Sequence, residues 1–159
     1  MSNVLIYVAA LCGIIAFIGL FASPLQILNE HGGWSAYNVS VYFGDPKSNV
    51  YKGVALPVFG YILPFLMSIF LIIESFKPQL DNRLSIINTI LAILYFASAI
   101  LVLLTKELWL VKNNAGEMVE IRNGAGPIMA AILSCMAGII LLIVTWAPGR
   151  KQIDYIDSK

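Results

Sequence analysis

The chain has 159 residues, of which 59% are apolar and 12% charged, and ten basic against nine acidic side chains leave a net charge of +1. A soluble domain runs nearer 45–50% apolar and about 25% charged, and a near-neutral chain has no basic surface for nucleic acid. Composition therefore excludes a soluble enzyme and a nucleic-acid binder, and predicts a polytopic membrane protein.

Four charge-free apolar stretches follow one another at 4–22, 54–73, 84–104 and 128–146. Each has about the ~20 residues that cross a ~30 Å hydrocarbon layer. Met1-Ser2-Asn3 carries no basic side chain, so the first stretch reads as a retained helix and not as a signal peptide. Four spans and their loops are expected to use the whole of 1–159 as a single four-helix membrane domain. The expected fold class is an all-α membrane protein: a four-transmembrane-helix bundle carrying a small extramembrane β cap.

That cap is predicted from the two long loops. In the first, 36–43 alternates, with Tyr37, Val39, Val41 and Phe43 on one face; Asp45-Pro46-Lys47-Ser48 is a turn and 49–52 a short return. In the last, Asn113-Asn114-Ala115-Gly116 is a turn between two alternating segments. Pairing across it opposes Lys112 to Glu117, Leu110 to Val119, Leu108 to Ile121 and Glu107 to Arg122. A β-hairpin over 107–122 is expected, and a lone hairpin is marginal in water. Both loops should therefore join in one sheet.

Four spans put both termini on one side. Lys77, Arg83, Arg150 and Lys151 crowd the helix ends there, so the positive-inside rule predicts cytoplasmic termini. Small residues recur at Ala9, Gly13 and Ala16 in the first span and at Gly126, Ala130, Ser134 and Gly138 in the fourth. Such stripes let another backbone approach closely, either within one bundle or from another subunit. Pro57 falls in the first turn of the second span and Pro64 in its interior, where proline removes a helix hydrogen bond and bends the helix. Trp146, Arg150 and Lys151 suit the headgroup level after the fourth.

Signals for chemistry are few. His31 is the only histidine, with Glu30 and Asp45 as the nearest carboxylates, which is too few ligands for a metal site or a bis-histidine haem. Cys12 and Cys135 both fall in spans, so no structural disulfide is expected. No ionisable side chain falls within a span, which argues against a proton-coupled pump. Ser68, Asn88, Thr89 and Ser134 are mildly polar and suit interhelical hydrogen bonds. Asn123-Gly124-Ala125-Gly126 lacks the ending of a phosphate loop and reads as a flexible joint. Asn38-Val39-Ser40 matches a glycosylation acceptor. No catalytic residue and no cofactor is predicted.

Aromatic side chains cluster in the loops at Trp34, Tyr37, Tyr42, Phe43, Tyr51 and Trp109. Half should form the core of the cap and the exposed remainder a docking surface. In the order of its helices and loops the chain is similar to claudin-like tetraspans. Gly32-Gly33-Trp34 is the one echo of their first-loop segment, and their paired loop cysteines are absent. Shared topology alone implies no function. The expectation is a non-enzymatic accessory subunit or self-associating protein, whose partners are lipids, other membrane subunits or its own copies. The alternatives are a small oligomeric channel or transporter lined by Ser68, Asn88 and Thr89, and a cofactor- or lipid-binding subunit of a membrane enzyme.

Overall fold

A computed structural model describes residues 2–28, 33–36, 40–43, 52–76, 81–113 and 120–146. The chain is mostly helical. Its elements in order are α1 (Ser2–Ile18), a 3-10 turn (Gly19–Phe21), β1 (Leu25–Leu28), β2 (Trp34–Ala36), α2 (Ser40–Phe43), α3 (Leu56–Ser75), α4 (Asp81–Leu103), α5 (Thr105–Asn113), β3 (Ile121–Asn123) and α6 (Ala125–Trp146).

Four helical segments are long and apolar enough to cross a membrane: Val4–Phe21, Leu56–Ser75, Ser85–Leu103 and Ala125–Trp146. They fall within three residues of the stretches read from sequence. The segments close into a ring in which α1 packs on α3 and α6, and α4 packs on α3 and α6. Each helix turns one side to the core. The other side exposes large apolar residues such as Leu11, Leu66, Ile93 and Ile132. Apolar surface on the outer side of every helix suits contact with lipid tails.

A three-stranded antiparallel sheet, ordered β2-β1-β3, sits at one end of the bundle. Both long loops do contribute to one sheet, but through other strands than expected. Its central strand β1 follows the 3-10 turn after α1, and Gln26 faces Ala36 on one side and Arg122 on the other. Leu25 and Ile121 point inward and, with Val41, Val54 and Trp109, make the core of the cap.

The hairpin over 107–122 is overturned. Residues 105–113 are helical, and β3 pairs with β1. Read as a strand, the segment would set Trp109 on the face opposite Leu108 and Leu110. Read as a helix, it brings Thr105, Trp109 and Asn113 onto one side at spacings of four, and that is the side the cap covers. Thr105 and Trp109 are buried. Asn113 grips Lys52 across the loop: its Oδ1 accepts from the Lys52 N–H at 2.7 Å and its Nδ2 donates to the Lys52 carbonyl at 3.2 Å. The strand expected at 36–43 is also corrected. β2 ends at Ala36 and 40–43 is a helical turn, which buries Val41 and Tyr42 together. The turns at 45–48 and 113–116 fall wholly or mostly outside the described residues, as does most of the return at 49–52.

Two side chains close the break between α4 and α5: Thr105 Oγ1 donates to the Val102 carbonyl at 2.6 Å, and Asn123 bridges both sides. Asn123 donates from Nδ2 to the Leu103 carbonyl at 2.8 Å and accepts at Oδ1 from the Lys106 N–H at 3.2 Å. A helix interrupted without such a partner leaves backbone groups unpaired. Asn123→Ala is expected to lower the stability of the cap by about 1–3 kcal/mol, read as faster amide hydrogen exchange across 103–108.

Candidate functional site

Two arrangements hold the polar side chains that could do chemistry. The first lies between α3 and α4. Pro64 has no N–H to give the Gly60 carbonyl one turn earlier, and Ser98 of α4 donates its hydroxyl to that carbonyl at 2.5 Å. One turn further along, Ser68 Oγ donates to the Pro64 carbonyl at 2.7 Å and shares a hydrogen bond of 2.9 Å with the Tyr95 hydroxyl. At the cap end of the same seam, the Tyr42 and Tyr61 hydroxyls share a bond of 2.8 Å. Burial pushes the Tyr42 phenol above its ordinary range, so it stays neutral. Each of these hydroxyls ends on a neighbouring helix or on a carbonyl left open by proline.

Ser68 and Asn88 turn inward and are buried, and Thr89 bonds back to the Ser85 carbonyl at 2.9 Å. Asn88 Nδ2 and Ser134 Oγ are buried without a hydrogen-bond partner. A serine and an asparagine amide left so in an apolar bundle each carry a desolvation cost.

The small-residue stripes are spent inside the bundle. Ala9, Gly13, Ala16, Gly126, Ala130, Ser134 and Gly138 are all buried. A Cβ at Gly13 would meet Ser68 Oγ, and would come within 2.8 Å of both the Pro64 carbonyl and the Tyr95 hydroxyl. A Cβ at Gly138 would stand 3.1 Å from the Phe96 ring. At the cap end Gly126 packs on the carbonyl of Gly19, so α6 and the 3-10 turn after α1 touch backbone to backbone. No part of either stripe remains outside to receive another subunit.

The joint at 123–126 is pinned. Gly124 N–H donates to the Pro24 carbonyl at 2.9 Å and Gly126 N–H to the Ser23 carbonyl at 3.1 Å. Those bonds hold the start of α6, and with it β3, against the segment that leads into β1. This is the opposite of the flexible joint expected.

The second arrangement is on the outside of the cap. Arg122 donates from Nε to Gln26 Oε1 at 2.7 Å, and its guanidinium carbon stands 3.9 Å from the centre of the Trp34 ring. Three side chains from three adjacent strands thus stack on one face of the sheet. Trp34 is 40% exposed. Of the other aromatics expected on a docking surface, Tyr42 is 1% and Trp109 3% exposed, because both fill the interior, and Tyr37 and Tyr51 lie outside the described residues. Gln26 carries no expectation from sequence, and Arg122 is expected there only as the cross-strand partner of Glu107. The alternation in Leu25-Gln26-Ile27-Leu28 just after Pro24 was the available signal for β1, and β1 is what brings them together.

Among the described residues, no group of three His, Cys, Asp or Glu is placed to hold a metal ion. His31, Glu30, Asp45 and the acceptor Asn38 lie outside the described residues. Cys12 and Cys135 are free thiols. No protein-family model, no curated protein and no solved structure matches this chain.

Proposed function

We propose that this chain is a non-enzymatic integral membrane protein, an accessory or structural subunit that offers a rigid four-helix body and its cap to another membrane protein or to a second copy of itself. In this reading the termini are cytoplasmic and the cap faces the other side. One observation carries it: the hydroxyls along α3, those of Ser98, Ser68, Tyr95, Tyr42 and Tyr61, are committed to one another or to backbone carbonyls. Ser98 serves Gly60, Ser68 serves Pro64 and Tyr95, and Tyr42 serves Tyr61. A catalytic group needs its proton or lone pair available to a substrate, and a pore needs polar groups facing a shared path. Side chains locked in this way serve neither purpose.

Gentle extraction from the native membrane followed by native mass spectrometry tests the reading. The expected result is this chain within one defined assembly, either with other polypeptides or as a closed homo-oligomer. A lone chain at every detergent concentration, with ion or solute flux once reconstituted, would overturn it.

A further inference from the structure

We propose that Arg122, Gln26 and Trp34 form a binding site for the phosphate of a membrane lipid headgroup. The guanidinium is prepared for it. Gln26 occupies Nε at 2.7 Å, and the Trp34 ring lies against the guanidinium at 3.9 Å, so both the plane and the direction of the group are set. Its pair of Nη groups is a fork whose geometry matches two phosphate oxygens. Among the described residues no carboxylate forms an ion pair with Arg122; the ion pair found there joins Lys106 to Glu107.

The depth of the group selects the ligand. α6 has 22 residues, about 33 Å at ~1.5 Å per residue, close to the ~30 Å of the hydrocarbon core. Its first residue, Ala125, therefore stands near the hydrocarbon boundary. Arg122 lies three residues before it in β3, at most ~10 Å of extended chain away. The headgroup layer is roughly 5–8 Å deep on each side of the bilayer, so the guanidinium reaches phosphate level. Exposed Phe21 and Phe59 lie at this same end of the bundle, where α1 ends and α3 begins. An indole with one wet edge also favours that depth. An acidic side chain of a partner protein would satisfy the same fork, but it explains neither the depth nor the aromatic surroundings.

The placement rests on α6 crossing the bilayer, as in the reading above. The test uses the full chain, purified in detergent, stripped of lipid and titrated with phosphatidylglycerol or with phosphate-free glucosyl diacylglycerol under native mass spectrometry. The expected result is a saturable phosphatidylglycerol adduct whose affinity falls about tenfold or more in Arg122→Gln, the loss of a charged hydrogen-bonded pair. Arg122→Lys should weaken it too, because an ammonium keeps the charge and loses the fork. Trp34→Ala should weaken it by freeing the guanidinium plane, and binding of the glycolipid should be the same in all four proteins. Both positions are exposed, so the variants should keep the melting temperature of the parent.

Unchanged phosphatidylglycerol binding in Arg122→Gln would overturn the proposal, as would displacement of the lipid by millimolar inorganic phosphate. So would an Arg122→Gln protein that keeps its lipid and loses a co-purifying polypeptide. Release of the chain from membranes by alkaline carbonate without detergent would instead overturn the membrane reading, and so separates the two failures.

Discussion

Gly13→Ala is expected to destabilise the bundle strongly, and Gly13→Leu to prevent its assembly. The added Cβ enters the space held by Ser68 Oγ, the Pro64 carbonyl and the Tyr95 hydroxyl. Ser68 can rotate out of the way only by releasing the Pro64 carbonyl and Tyr95, to which it is bonded. The Pro64 oxygen belongs to the backbone, and it moves only if α3 moves. Overpacking costs about 1–3 kcal/mol, and the lost interhelical bonds add roughly 0.6–1.7 kcal/mol. The sum is a large share of the stability of a domain this size. The measurement is the midpoint of unfolding in mixed detergent micelles. Gly33→Ala is the control: nothing lies within 4 Å of its added methyl, and a shift beyond about 0.5 kcal/mol is not expected there. Equal midpoints for the two variants would mean that α1 does not pack on α3 as described.

Trp109→Ala is expected to undo the cap and leave the bundle standing. Its indole packs with Leu25, Val41, Val54 and Ile121, which come from the sheet, from α2 and from the segment leading into α3. Truncating a buried tryptophan costs about 3–5 kcal/mol. A three-stranded sheet of three- and four-residue strands cannot absorb that loss, since small sheets depend on a packed apolar face. The four long helices have their own cores, to which Trp109 does not belong. Amide hydrogen exchange should therefore rise across 25–28 and 121–123 and stay slow in the helices. Trp109→Phe keeps most of the apolar volume and should lie between. Exchange that rises everywhere would mean that the cap and the bundle unfold as one unit.

These two expectations differ in how far they could be read without coordinates. The stripes at Gly13 and Gly126 are visible as spacing, and small residues at spacings of three and four signal a close helix approach. Spacing does not say which helix approaches. Gly13 meets Ser68 and the Pro64 carbonyl on α3, while Gly126 meets Gly19 in the 3-10 turn that ends the first span. The same holds for Ser98. As a lone serine in an apolar span it carries no signal, and its role exists only because Gly60 of another helix lost its donor to Pro64. Trp109 shows the converse failure. Four apparently matched pairs across Asn113–Gly116 favoured a hairpin, yet none of those pairs outweighs burying one indole in the cap. Cross-strand pairs contribute roughly 0.2–1 kcal/mol each, and α4 supplies a ready helical turn on which α5 grows, with Leu108 N–H bonded to the Leu104 carbonyl at 2.9 Å.

The sequence by itself determined the four long helices and their bounds, because a span is a local property. Some twenty consecutive residues without a charge must satisfy their backbone internally wherever water is absent, and a helix does that with no help from the rest of the chain. It also determined that both long loops meet in one sheet, since short strands need partners. The tertiary structure decided the rest: the order β2-β1-β3, the helical 105–113, the enclosure of both small-residue stripes, and the meeting of Gln26, Trp34 and Arg122 from three strands. Each of these depends on contacts between residues far apart in the chain. Their energies are comparable with the local preferences they override, so no window of sequence contains the answer.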